Sequence, residues 1–276
     1  MQATSNSRLT NQIVLVTGGT DGIGAACARE FLRRGASVVV AGLNHGLDGP
    51  EGALTLHGDL TDREFRKRLV ATIKAKFGRL DVLVNNAGVG MYSPLAHSQD
   101  DEISRIFELN VFAPVSLARD LLPMLRSGGR GVVVNTASVA AWANLPWSPV
   151  YCASKSALQS FSEGMYREFR EFGIHVVTVA PGIVDTGFRD HVIKGEVPEG
   201  VRAIRGAVNP EALANAIVNA VEKRRRWVVK PWTVIPFALA NALTPALIDW
   251  YCRSRWRLDT AAVPKKIATT KSAESS

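Results

Sequence analysis

The stretch from Gln12 to Arg34 leaves this chain few architectures to adopt. Gln-Ile-Val-Leu-Val-Thr at 12–17 is a short, uninterrupted apolar run, the pattern of a parallel strand buried on both faces. It leads directly into Thr17-Gly18-Gly19-Thr20-Asp21-Gly22-Ile23-Gly24, and a helical pattern follows over Ala25–Arg34. Strand, glycine-rich turn and helix start in succession make a unit that can receive the pyrophosphate of a dinucleotide. Glycines permit the turn and a close approach of the backbone, while free N–H groups and the helix dipole meet the anion. The Gly-x-x-x-Gly-x-Gly spacing differs from the commoner Gly-x-Gly-x-x-Gly, and a plain tight turn is the competing reading.

Apolar runs recur at Ser37–Ala41, Ala53–His57, Asp81–Val84, Gly131–Asn135, Ile174–Ala180 and Trp227–Lys230. Helical patterns separate them at Thr61–Phe77, Asp100–Met124 and Tyr151–Phe172, and at Pro210–Lys223, where Asn209 is the cap. This alternation predicts an α/β protein with a mainly parallel sheet. Gly46–Gly52 holds three glycines and a proline, so the helix between the second and third strands is expected to be short or missing. At 276 residues a single core is the default, with no internal repeat and no dividing linker. We therefore expect one catalytic domain over 1–230, an apolar and basic extension over 231–261, and a disordered tail at 262–276.

Open α/β sheets place ligands beyond the carboxyl ends of their strands, so those ends carry the candidate residues. After the second strand come Gly42-Leu43-Asn44-His45, with neither the acid that would read a ribose 2′-hydroxyl nor the base that would read a 2′-phosphate. Asp21 would repel a 2′-phosphate, which tilts the reading towards NAD. Asp59, after the third strand, either meets an adenine amino group or caps the following helix. Asn85-Asn86-Ala87-Gly88 suits a backbone-stabilising turn beside a ligand. Asn110 falls inside a long helical pattern, where asparagine competes for backbone hydrogen bonds, so it is either exposed or bonded locally, bending the helix. Ser138 ends the fifth strand, and Pro181-Gly182-Ile183-Val184-Asp185-Thr186 ends the sixth. The aperiodic stretch 187–207 is expected to form a lid.

Tyr151 and Lys155 open the helical pattern after the fifth strand, four residues apart and so on one helix face. A free tyrosine titrates near about 10 and is a poor proton carrier at neutral pH; a fixed ammonium nearby favours the phenolate. Alone, the pair is more simply a solvated helix edge.

Composition excludes several classes. With 46% hydrophobic and 21% charged residues, the chain is not globally disordered. Its three cysteines and five histidines are scattered, without disulfide or metal-ligand spacing, which fits a reducing compartment. The formal charge of +8 is concentrated between Glu222 and Arg257, and no nucleic-acid-binding module accompanies it. Met1–Asn11 is polar, so no signal peptide is expected and the protein should be cytoplasmic.

Taken jointly, these residues resemble the short-chain dehydrogenase/reductase family over about residues 11–230. The match comprises Thr-Gly-x-x-x-Gly-Ile-Gly at 17–24, Asp59, Asn-Asn-Ala-Gly at 85–88, Asn110, Ser138, Tyr151-x-x-x-Lys155 and Pro181-Gly182, in the family's order and spacing. The resemblance implies a Rossmann-type, doubly wound, seven-stranded sheet and hydride transfer between a nicotinamide, NAD or NADP, and an alcohol or ketone carbon. Through it, Tyr151 is expected as general acid/base, Ser138 as the carbonyl-orienting hydroxyl and Lys155 as the cation that lowers the tyrosine's pKa and holds the ribose. Asn110 would support a proton relay. The expected cofactor contacts are Gly18, Thr20, Asp21, Gly22, Ile23, Gly24, Asn44, Asp59, Leu60, Asn86, Ala87, Gly88, Pro181, Gly182, Val184 and Thr186. Homodimers or homotetramers are implied by the resemblance alone.

Pro231–Ile248 is eighteen residues without a charge, bracketed by basic residues and with aromatic residues towards both ends. Peripheral membrane attachment through 231–257 and a buried cover or subunit contact are the competing expectations; prolines argue against a span. Together with Trp142, Trp147 and Phe188 near the expected pocket, the extension suggests a lipophilic substrate, sterol-, retinoid- or fatty-acyl-like. The rival reading is a cofactor-binding regulatory or scaffold protein that has lost turnover.

Overall fold

The computed structural model describes residues 8–43, 46–142, 144–190, 192–195 and 207–255. Seven strands form one sheet: β1 (Ile13–Thr17), β2 (Ser37–Gly42), β3 (Leu54–His57), β4 (Val82–Asn85), β5 (Val132–Thr136), β6 (His175–Pro181) and β7 (Trp227–Lys230). Their order is β3-β2-β1-β4-β5-β6-β7, and every adjacent pair is parallel. The expected doubly wound α/β fold is therefore present. The winding direction reverses between β1 and β4, and this reversal opens a crevice at the strands' carboxyl ends.

The valine-rich strands are buried because helices cover both faces. Successive residues of β1 point to opposite sides, so Val14 and Val16 join one core while Ile13 and Leu15 join the other. The first core is closed by α1 (Gly22–Arg33) and by α7 (Pro210–Lys223), with Phe31, Leu213 and Ile217 inside. On the opposite face lie α2 (Arg63–Phe77), α4 (Ala113–Asp120) and α6 (Pro149–Phe169), contributing Leu69, Leu117 and Met165. Each large side chain so enclosed contributes about 1.5–3 kcal/mol relative to exposure. Arg34 ties α1 to α7 through Glu30, Asn219 and Glu222.

Several boundaries differ from the sequence expectation. The single helix expected over Asp100–Met124 is a succession: α3 (Asp100–Phe107), one wide π-turn at Glu108–Phe112, α4, and α5 (Leu122–Ser127). Asn110 is fully buried in the π-turn, so it is not exposed; the helix is distorted there as the second reading expected, but its bonds go to Val89 and Ser154, distant in sequence, and not to local backbone. α1 begins at Gly22 because Asp21 caps it, and α2 begins at Arg63, two residues past the expected start, because Asp62 accepts from Glu64 N. Pro149 starts α6 two residues before Tyr151. The stretch expected as an aperiodic lid has order in its described part. Gly187–Asp190 forms a tight helical turn, and Gly90 pairs with Val192. Residues 191 and 196–206 lie outside the described set.

Beyond β7 the extension forms two helices, α8 (Val234–Leu243) and α9 (Pro245–Arg255), separated at Thr244. Its prolines do not prevent this. Pro236 falls in the first turn of α8, where a missing N–H has no intrahelical partner, and Pro245 opens α9. Among the described residues no helix is long and apolar enough to cross a membrane. The expected tail at 262–276 lies outside the described residues.

Candidate active site

A cavity of about 540 Å³ occupies the crevice at the β1/β4 reversal. That is within the range of small-molecule sites. It runs from the turn after β1 to the ends of β5 and β6. Of the residues expected around a cofactor, Gly18, Thr20, Asp21, Gly22, Ile23, Asp59, Leu60, Asn86, Ala87, Gly88, Pro181, Gly182, Val184 and Thr186 line it. Gly24 lies behind the turn, and Asn44 falls outside the described residues.

The glycine turn is shaped by close backbone contacts. Gly18 has φ +61°, and a Cβ there would come 2.9 Å from Ala87 Cα; at Gly24 a Cβ would overlap the Gly18 carbonyl oxygen. Asp21 Oδ1 accepts from Gly22 N at 2.6 Å, making this acid the cap of α1. Asn86 holds the turn from β4: its side-chain amide donates to the carbonyls of Thr17 (3.2 Å) and Gly18 (3.1 Å). Thr17, which the sequence did not mark as a site residue, accepts from the backbone N–H groups of Asn86 and Ala87. Asp59 accepts from Thr61 N at 2.8 Å, so it closes its own turn while facing the cavity, and α2 is capped by Asp62 instead.

Asn110 reaches the site because the π-turn rotates it inward. Its Oδ1 accepts from Val89 N at 2.9 Å, and its Nδ2 donates to Val89 O and to Ser154 Oγ, both at 3.0 Å. Ser154 Oγ in turn donates to Tyr151 O at 2.8 Å. Gly88 makes room for the convergence: a Cβ there would lie 3.0 Å from Asn110 Oδ1 and 3.2 Å from Lys155 Nζ.

Ser138 follows β5, where its Oγ accepts from Ala140 N at 3.1 Å and donates to Pro181 O at 3.5 Å, and it shares the cavity lining with Tyr151. Lys155 is almost wholly buried, and its Nζ donates to the Thr136 carbonyl at 2.9 Å. Burial pulls the lysine down to about 8. Burial also pushes the Tyr151 phenol above its ordinary value, with the Ser138 hydrogen bond acting in the opposite direction. The expectation that Lys155 lowers the tyrosine's pKa is thus not met by the protein alone. Nζ sits 5.9 Å from the ring centroid and is spent on a backbone carbonyl, so desolvation dominates both groups.

Of the three aromatic residues expected around a substrate, Phe188 lines the cavity, its ring 6.1 Å from that of Tyr151. Trp142 and Trp147 are not among the described lining residues. Trp142 packs against Trp227 at 5.8 Å and its carbonyl accepts from Asn241 of α8, so it joins the C-terminal helices to the wall behind Ser138. Tyr92, Leu109, Leu145, Thr233 and Val234 form the apolar end instead, together with Val139 and Ala140. Sequence reasoning missed these, and the stretch between β5 and α6 contributes through Val139, Ala140 and Leu145 rather than its tryptophans.

The cavity accommodates a nicotinamide dinucleotide on its own terms. A glycine turn opens at a helix N-terminus, a buried ammonium lies midway, and the Thr136 hydroxyl is buried with no hydrogen-bond partner among the described residues. Such a sheet, with a serine hydroxyl, a tyrosine hydroxyl and a lysine on the cavity at its carboxyl edge, defines a dinucleotide-dependent oxidoreductase. The comparisons agree. The family model described as short chain dehydrogenase matches residues 12–196, and the chain belongs to that family. It is an NAD(P)-dependent oxidoreductase acting on alcohol or ketone groups. It is 32% identical over 270 residues to 11-beta-hydroxysteroid dehydrogenase 1A of Arabidopsis thaliana, covering 90% of this chain and 76% of that protein. It is 30% identical to the cyclopentanol dehydrogenase of Comamonas testosteroni, covering 80% and 94%. A short-chain dehydrogenase/reductase from Burkholderia phymatum, solved with NAD, superimposes with a TM-score of 0.78 at 21% identity, covering 87% of this chain and 96% of that one.

Proposed function

We propose that the protein interconverts a lipophilic secondary alcohol and its ketone, with Tyr151 as the proton carrier. The observation that carries this reading is the convergence of Ser138, Tyr151 and buried Lys155 on one cavity whose far end is apolar. The nicotinamide supplies or accepts the hydride. Tyr151 takes the alcohol proton in oxidation and returns one to the carbonyl oxygen in reduction. Ser138 holds that oxygen as charge develops on it. Lys155 has donors beyond the one given to Thr136 and would hold ribose hydroxyls; its charge offsets the phenolate once the cofactor completes the site. Asn110 keeps the Val89 backbone and the first turn of α6 in fixed relation through Ser154.

NAD is the proposed cofactor. Among the described lining residues Lys155 is the sole base, whereas Asp21 and Asp59 are acids, a field unfavourable to a 2′-phosphate. A relative acting on a steroid and another on a cycloalkanol support an apolar alcohol or ketone as substrate. The exposed faces of α8 and α9 support peripheral contact with a lipid surface. Phe112 and Phe161, exposed on the flank formed by the π-turn and α6, support a homo-oligomer. The deciding experiment is titration with NADH and NADPH, followed by a panel of ketones of increasing length. Tight cofactor binding without turnover of any ketone would favour a regulatory role and overturn the proposal.

A further inference from the structure

Residues 192–195 run along the segment after β4 as a short strap joined to it by one isolated bridge. Gly90 pairs in parallel with Val192, Ile193 N donates to Gly90 O at 2.9 Å, and Tyr92 N donates to Lys194 O at 2.9 Å. The pairing is tight: a Cβ at Gly195 would collide with the Tyr92 carbonyl. On its inner side this strap contributes Ile193 to an apolar cluster of Met91, Ile106, Val150 and Tyr151. Phe188 and Tyr92, which flank it, line the cavity. On its outer side Lys194 Nζ donates to His97 O at 2.7 Å and meets Glu102 of α3, 3.0 Å from one carboxylate oxygen and 3.1 Å from the other. Glu102 is itself fixed, since its Oε2 accepts from Gln99 N at 3.0 Å in the cap of α3. A side chain in the middle of the strap is thus clamped to two elements that do not belong to it.

From this geometry we infer that Lys194 is a positioning residue for substrate: its clamp on Glu102 and His97 O holds the strap against residues 90–92 and so sets the apolar end of the cavity. Among the described residues only two main-chain hydrogen bonds join this strap to residues 90–92, a weak hold for an isolated segment. The ammonium, only one-third exposed, adds charge-assisted bonds where the strap would otherwise lift. Lys194 does not touch the Ser138–Tyr151 pair. Its effect reaches the cavity through Ile193, which packs against the Met91, Ile106 and Val150 cluster, and through Tyr92, which lines the cavity. The prediction is therefore selective. A substrate long enough to rest on the strap needs the clamp, and one confined to the hydroxyl pair does not.

This inference rests on the alcohol/ketone reading only for its kinetic half, so the test has two arms. In the first, amide hydrogen exchange is followed at Tyr92 and Ile193 in the cofactor-free protein for wild type, Lys194→Met and Lys194→Arg. Lys194→Met should accelerate both amides by about tenfold or more, while Lys194→Arg leaves them near wild type. Unchanged exchange in Lys194→Met overturns the clamp whether or not any alcohol is turned over. In the second arm, KM and kcat are measured with 2-propanol and 2-decanol. Lys194→Met should raise KM for 2-decanol several-fold and leave kcat/KM for 2-propanol unchanged, with Lys194→Arg restoring the long alcohol. An equal loss for both alcohols would overturn the positioning role and reduce Lys194 to a general structural contact. Failure of wild type to oxidise either alcohol would count against the proposed substrate class and leave the exchange result to decide the clamp.

Discussion

Asn110 and Ser154, forty-four residues apart in sequence, meet inside the protein with Asn110 Nδ2 donating to Ser154 Oγ at 3.0 Å. Because Ser154 Oγ also donates to Tyr151 O, one hydroxyl joins the π-turn to the first turn of the helix that carries the proposed proton carrier. Ser154→Ala removes the acceptor from a carboxamide with no access to water. The expected cost is about 1–3 kcal/mol of stability, the penalty of a stranded buried donor. Turnover should fall as well, and Ser154→Thr should recover part of both. Urea unfolding alongside kcat measures the two effects; a fully stable, fully active Ser154→Ala would show that the link is dispensable.

Tyr151→Phe tests the proton carrier with little change in shape. The variant retains the ring that packs against Phe188 and loses the hydroxyl that shares the cavity with Ser138. Turnover should drop by at least about 10²–10⁴-fold, the scale of a general acid/base. Quenching of tryptophan fluorescence by NADH should still report binding within a few-fold of wild type. Near-normal turnover in this variant would refute the mechanism.

Burial lowers Lys155 from its ordinary value of 10.5 to about 8, and this has a definite consequence for stability. A folded-state pKa depressed below the unfolded one means that the unfolded chain binds the proton more readily. Lys155 therefore costs nothing above about pH 10.5. Its penalty grows as pH falls towards 8 and is constant below that. The full difference corresponds to about 3 kcal/mol. Lys155→Met should be more stable than wild type in cofactor-free protein at pH 7, and the advantage should shrink between pH 8 and 10.5. Urea midpoints at pH 7, 8, 9 and 10 measure this; a gap independent of pH would place the lysine in contact with water. That a site retains a destabilising ammonium is intelligible if a ligand uses it.

Gly24→Ala should separate folding of the sheet from competence of the turn. The added methyl would overlap the Gly18 carbonyl oxygen and press on the Asn86 side chain at 2.6 Å, so the turn must shift to receive it. NADH affinity should fall by about a hundredfold or more, as befits a main-chain displacement at a phosphate-binding turn. The far-ultraviolet circular dichroism spectrum should stay that of the folded protein. Retained affinity would mean that the dinucleotide does not use this turn.

These residues also show where sequence reasoning succeeded and where it stopped. The turn at 17–24, the seven apolar runs and the spacing from Ser138 to Tyr151 are local patterns, and local patterns are what an unaligned sequence displays. The π-turn was out of reach because it depends on Asn110 pairing with the Val89 backbone, a tertiary contact. Ser154 was passed over for the same reason: a serine inside a helix is unremarkable until its partner is known. Trp142 and Trp147 drew attention as aromatic residues in a loop, but composition carries no direction, and Trp142 is taken up by Trp227. Spacing along the helix shows that Lys155 is near Tyr151, but not how deeply either group is buried or that the ammonium is engaged by Thr136 O. Proximity sets the sign of a Coulombic effect, and burial decided the outcome here.

The C-terminal helices make the proposed lipid contact testable. Ile235, Leu239 and Leu243 recur at four-residue spacing along one face of α8 and are exposed, Leu243 at 79%. Leu247 and Trp250 continue the surface on α9, and Trp232 precedes it. An apolar stripe of this kind with arginines beyond it in sequence has the form of an interfacial helix, whose affinity grows with buried apolar area and with anionic lipid. Pro231, Thr233 and Val234 line the cavity, so the same segment that would rest on lipid also borders the site. The protein should cosediment with vesicles of phosphatidylcholine and phosphatidylglycerol, and less with phosphatidylcholine alone. Leu239→Asp combined with Leu243→Asp should weaken binding by about tenfold or more, since two apolar anchors become charged. The double variant should keep its turnover of 2-propanol, as neither leucine borders the cavity. If instead wild type ignores both vesicles and the double variant turns a dimer into a monomer on a sizing column, the stripe is a contact between copies of the chain and not with lipid.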